Sequence, residues 1–133
     1  MNRPFLPLLL ALAGCSTGPS LRSFAPAKSP AGVQAELRVG GRNERVRGEV
    51  LEVRDSSLIL VRDGARVTLI PIRRIYSGKF AKVGYLIGQG EISDGDRRRL
   101  RLLSRFPGGM QPDIEARLLA VYGQTELDRA GEP

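Results

Sequence analysis

The amino-acid sequence predicts a small α+β protein, mainly β with helices at its C-terminal end: a five-stranded small barrel over residues 33–90, then a helical hairpin over 91–123. Three observations carry that expectation. From Val33 onward apolar residues recur at every second position, the period of a half-buried strand. Five such runs, separated by Gly-Gly, Asp-Ser and Asp-Gly pairs, fit into about fifty residues, and closing so short a sheet removes its exposed edges. Beyond Ser93 the apolar period lengthens to that of a helix.

At the N-terminus, Asn2 and Arg3 precede an apolar run from Phe5 to Ala13, broken only by Pro7. Such a run reaches roughly 14 Å as a helix, whereas ~20 residues are needed to cross a hydrocarbon core, so it reads as an export signal. The run ends in Leu12-Ala13-Gly14-Cys15, followed by Ser16-Thr17-Gly18-Pro19. This resembles the lipobox of bacterial lipoproteins. The resemblance implies a diacylglyceryl group on the Cys15 sulfur, cleavage between Gly14 and Cys15, loss of residues 1–14 and acylation of the new amino terminus. Ala11-Leu12-Ala13 also fits an ordinary signal-peptidase site, which would leave a soluble chain starting at Gly14 with a free thiol at Cys15. Two or three acyl chains, at ~0.8 kcal/mol per buried CH₂, would hold the protein to a membrane without its spanning one. The expected location is the bacterial cell envelope, and in a Gram-negative cell the periplasmic side of the outer membrane.

Residues 15–32 form the expected lipidated cysteine and flexible tether, with Pro19, Pro26 and Pro30 among Ser, Ala and Gly. The seventeen residues from Ser16 to Gly32 have an end-to-end distance of roughly 23 Å as a flexible chain and about 56 Å at full stretch.

The strands follow in order. Val33, Ala35, Leu37 and Val39 mark the first, ended by Gly40-Gly41. Val46, Gly48 and Val50 continue the alternation, but Leu51 and Val53 fall on the opposite phase, which predicts a bulge or bend near Glu49 to Leu51, with Gly48 permitting close backbone approach. Asp55-Ser56 turns the chain into Leu58–Val61, and Asp63-Gly64 is a hairpin signal into Arg66–Ile70. Pro71 stops that strand, Ile72-Arg73-Arg74 fits one tight turn, and Ile75 to Lys82 makes the fifth. The run Leu37 to Gly48 to Asp55 to Leu60 is similar to the first motif of Sm-like and related SH3-like small barrels. The similarity covers residues 33–82 and implies a fold with no activity attached. Gly84 to Gly90 lacks the Gly-Lys-Ser/Thr of a phosphate-binding loop and reads as a strand tip or loop.

Asp94 is the expected N-cap of a helix over Gly95–Arg105, ended by Pro107-Gly108-Gly109. A second helix is expected over Pro112–Tyr122, with Asp113 and Glu115 at its positive end and Gly123 just beyond it. Leu100, Leu102, Leu103 and Phe106 form the apolar arc of the first helix, and Ile114, Leu118, Val121 and Tyr122 that of the second. The two apolar faces are expected to meet each other or to cap the barrel, and the tail over 124–133 to fray.

Composition narrows the function. One Cys and no His exclude an internal disulfide, the usual zinc sites and any His-based triad. No metal or cofactor is expected. Glu49 and Glu52, three apart on a strand, point to opposite faces, and Asp94 with Asp96 belongs to a helix cap, so no carboxylate pair is evident and no enzymatic activity is expected. Nucleic-acid binding is not expected either, because no loop carries stacking aromatics and export separates the chain from RNA. Without Arg3 the chain keeps 20 basic against 14 acidic side chains, a net +6. Arg97, Arg98, Arg101 and Arg105 line up opposite the apolar arc of the first helix, with three of them at i, i+4, i+8, a spacing at which like charges repel. The expectation is an envelope lipoprotein acting as an interaction or structural module; the alternative is an anion-binding module using these arginines on anionic lipid, envelope phosphates or glycan. A solvated, screened face is the plain reading of the same four residues.

Overall fold

The structure, a computed structural model, describes residues 32–131. The signal segment, Gly14, Cys15 and the tether up to residue 31 lie outside the described residues. Six consecutive strands, β1 (Gln34–Val39), β2 (Glu44–Val53), β3 (Ser57–Arg62), β4 (Arg66–Pro71), β5 (Ile75–Phe80) and β6 (Gly84–Gly88), precede helices α1 (Asp94–Leu103) and α2 (Pro112–Val121). A short strand, β7 (Asp128–Arg129), closes the described chain, and one 3-10 turn, Ile72–Arg74, joins β4 to β5. The protein is thus mainly β within the α+β class.

The strands form one mixed sheet in the order β6-β5-β1-β2-β3-β4-β7, in which only the β4–β7 pair is parallel. This corrects the five-stranded barrel: the sheet has seven strands and is not closed, since no ladder joins β4 to β5. Two features keep that seam open. Pro71 ends β4 without an N–H to donate, and β7 occupies the free edge of β4, where the Ala130 N–H also donates to the Leu69 carbonyl at 3.2 Å. The sheet still curls. Pro71 and Ile75 are at most about 14 Å apart along the chain, whereas the four strand spacings between β4 and β5 would be about 19 Å in a flat sheet.

Curling is built into β2. Its register against β3 shifts between Val50 and Glu52, leaving Leu51 as the extra residue of a bulge where the phase slip predicts one. Gly48 packs so closely on β3 that a Cβ there would lie 2.1 Å from the Val61 carbonyl oxygen. The Asp63-Gly64 turn also follows expectation, with both residues at positive φ, 49° and 70°.

Alternate residues of β3 enter two separate cores. Leu58 and Leu60 join Leu37, Val39, Val46, Val50, Ile70, Ile75, Phe80 and Leu100 on the concave face. Ile59 and Val61 join Leu51, Val67, Met110, Leu118 and Leu119 on the other face. Leu100 of α1 and Leu118 of α2 therefore lie on opposite sides of the sheet, and the expected helical hairpin does not form. Neither is the tail frayed over its described residues, 124–131. Gln124 is buried and clamps β4 through both ends of its amide, accepting from the Val67 N–H at 2.7 Å and donating to the Val67 carbonyl at 3.0 Å. Gly32 belongs to the folded unit rather than to the tether: a Cβ there would lie 2.2 Å from the Val50 carbonyl oxygen.

The contact at Gly48 is against backbone, which cannot rotate away. Gly48→Ala is expected to lower stability by about 1–3 kcal/mol, measured by urea unfolding. Gly95→Ala, whose added methyl meets nothing within 4 Å, should instead leave stability unchanged or raise it by roughly 0.5–1 kcal/mol.

Candidate functional site

The arginines singled out by the sequence all lie on or just beyond α1. The Ser93 hydroxyl caps that helix by accepting from the Asp96 N–H at 3.1 Å, while Asp94, the expected cap, accepts from Arg97 Nη1 at 2.7 Å. The helix stops at Leu103, two residues early. Tertiary hydrogen bonds explain this: the N–H groups of Arg105 and Phe106 donate to the carbonyls of Val50 and Leu51, at 3.0 and 2.9 Å, and draw the backbone into an extended path along the bulge.

That path commits Arg105 to the interior. Its Nε donates to Glu49 Oε1 at 2.8 Å, with the two side chains only 11% and 8% exposed. The same carboxylate oxygen accepts from the Gly32 N–H at 2.8 Å. Arg101 donates to the Val53 carbonyl at 3.0 Å and pairs with Asp55 at 3.3 Å. Arg97 lines a cleft of about 620 Å³ with Arg73, Asp55, Ser56 and Glu91, and its Nε is buried without a hydrogen-bond partner. Arg98 is exposed. The four residues therefore do not make one open cationic stripe, since Arg101 and Arg105 fasten α1 and the segment after it to β2.

The bulge also brings Glu49 and Glu52 to one face, where an unbroken strand would separate them. Their register partners on β3 are Val61 and Ile59, both in the second core. Each carboxylate meets its own guanidinium: Glu49 meets Arg105, and Glu52 meets Arg54 at 3.4 Å, which also reaches Glu115 of α2 at 3.2 Å. This cluster of opposite charges is the polar seam between β2 and α2. Only the phase slip at Leu51 signalled it in the sequence. Nothing there pointed to the Gln124 clamp.

The apolar arc of α1 is also corrected. Leu100 is fully buried, but Leu102 is 75% exposed and Leu103 36%. At ~100° per residue Leu100 and Leu102 lie about 200° apart, too far for one surface to cover both. Among the described residues no group of three His, Cys, Asp or Glu is placed to hold a metal ion. No protein-family model matches this chain, and no curated protein or solved structure matches it significantly, so its chemistry is read from its own residues.

Removing Arg105 would strand the buried Glu49 carboxylate. Arg105→Gln is expected to cost about 3–5 kcal/mol in urea unfolding, while Arg98→Gln should leave the midpoint unchanged. Tyr122, on the polar seam, gives a second expectation. Burial raises its phenol above the usual value of 10.0, Arg105 opposes that shift and Glu49 adds to it. A raised folded-state value means that the stabilising contribution is complete below pH 10 and is lost as the pH climbs through the folded-state value. Stability should therefore fall above about pH 10, and Tyr122→Phe should flatten that part of a stability-against-pH curve.

Proposed function

We propose that this chain is an exported, lipid-anchored module of the bacterial cell envelope that works by interaction rather than by catalysis. The single observation that carries the reading is Leu12-Ala13-Gly14-Cys15 at the end of a short apolar run, with the only cysteine of the chain at the position that lipidation requires. The order of segments supports it. A tether separates Cys15 from a folded unit that starts at Gly32, so the unit can stand clear of the membrane or rest on it. No helix among the described residues is long and apolar enough to cross a membrane.

The alternative, an anion site on the four arginines, loses support in its original form. Arg101 and Arg105 spend their donors on Val53, Asp55 and Glu49, and a ligand would have to displace those bonds.

Mass spectrometry of the protein extracted from membranes tests the anchor. The expected mature species begins at Cys15 and carries a diacylglyceryl group with an additional acyl chain, and Cys15→Ser yields unprocessed precursor or a chain beginning at Gly14. An unmodified wild-type protein beginning at Gly14 would refute the proposal.

A further inference from the structure

We infer that the C-terminal end of α1 is a second, reversible membrane contact: an exposed leucine pair flanked by cations that lies on anionic lipid headgroups beside the point where the chain enters the fold. This rests on the lipid-anchor reading for its biological setting, though the surface itself is defined by the folded unit alone.

The surface is a narrow arc of α1. At ~100° per residue Arg98, Leu102, Arg99 and Leu103 fall in that order within about 140°. Arg98 and Arg99 are exposed, and among the described residues neither has a hydrogen-bond or ion-pair partner. Leu102 is the most exposed large apolar side chain described. Next to it Leu103 lines a groove of about 340 Å³ with Gly32, Val33, Gln34, Ala81, Lys82 and Val83. Lys82 stands at the tip of the β5–β6 turn, exposed and at φ 71°. Each leucine stands one turn beyond an arginine, Leu102 after Arg98 and Leu103 after Arg99, with Lys82 across the groove, and apolar side chains flanked by cations are the pattern of an element that seats itself at a headgroup boundary.

The position of the chain's N-terminal segment selects a membrane as the occupant. The Val33 N–H donates to the Leu103 carbonyl at 2.9 Å, so the start of the folded unit at Gly32 lies beside the leucine pair. With Cys15 as the proposed anchored residue, the sixteen residues from Ser16 to Ala31 would span roughly 22 Å as a flexible chain, short enough to hold that end at the lipid surface at an effective concentration near the millimolar range. Weak intrinsic affinity then suffices. Each cation near an anionic surface strengthens binding about fivefold, and the three here carry one sign. The nearest acid on α1, Asp96, precedes Arg99 by three residues and Leu102 by six, at the helix start where its N–H donates to the Ser93 hydroxyl.

The chain contains no Trp, so one introduced Trp reports a single place. Leu102→Trp in the full-length, membrane-extracted protein is reconstituted in phosphatidylglycerol vesicles with and without brominated acyl chains, and Tyr85→Trp on exposed β6 serves as the comparison. The expected result is a blue-shifted emission and at least twofold stronger quenching by brominated lipid for the Leu102→Trp protein than for the Tyr85→Trp protein. That difference should vanish when Arg98→Glu and Arg99→Glu are added or when phosphatidylcholine replaces the anionic lipid. Equal quenching at the two positions overturns the inference. So does a blue shift that depends on protein concentration and not on lipid, which would mean that a second copy of the chain covers the face. Mass analysis of the same sample reads the Cys15 modification separately, so failure of the anchor and failure of the face give different results.

Discussion

One extra residue in β2 sets the geometry on which the rest of the protein depends. Leu51 interrupts the ladder between Val50 and Glu52, so residues on either side of it change phase. Val50 and Val53 both reach the concave core, Leu51 reaches the other, and Glu49 and Glu52 come to share a face. A regular strand would bury one face and leave the other to solvent. Here both faces of β3 and of β2 from Gly48 onward are covered, and each helix finds its own side. Gly48 lets the bent strand approach β3 at a distance that no side chain would tolerate.

The bulge leaves carbonyls that a continuous ladder would have occupied, and distant segments use them. Val50 accepts from Arg105 and Leu51 from Phe106, while the Val50 N–H donates to Val33. Glu49, buried at the same place, collects the Gly32 N–H and the Arg105 guanidinium. A buried carboxylate is costly unless every such bond is made. Gly32 and the segment after α1 are therefore tied to one point on β2. The end of α1 is turned outward beside it.

Charge serves two purposes in this chain. Arg54, Arg101 and Arg105 act as internal fasteners, each matched to a carboxylate or carbonyl between segments far apart in sequence. Arg98 and Arg99 lie on the outward arc. Four arginines that look equivalent along a helix are thus divided by where the helix ends. That ending is dictated by hydrogen bonds to β2 and not by local propensity.

Local order was legible in the sequence wherever a short-range pattern suffices. The strands from β1 to β5, the bulge near Leu51, the Asp63-Gly64 turn, the tight turn at Ile72–Arg74 and the two helices all follow from alternation, turn chemistry and caps acting over a few residues. The targeting segment we propose over residues 1–15, Gly14-Cys15 included, rests on the same kind of local pattern and lies outside the described residues. Closure, helix placement and the use of each arginine depended on contacts between segments about fifty residues apart or more. β7 occupies the edge on β4 where a barrel would close, and Gln124 clamps Val67. The carbonyls of Val50 and Leu51 end α1 early and turn Arg105 towards Glu49. Period and propensity carry no information about such partners, because the free energy of a buried ion pair or an added strand exists only once both segments have been brought together.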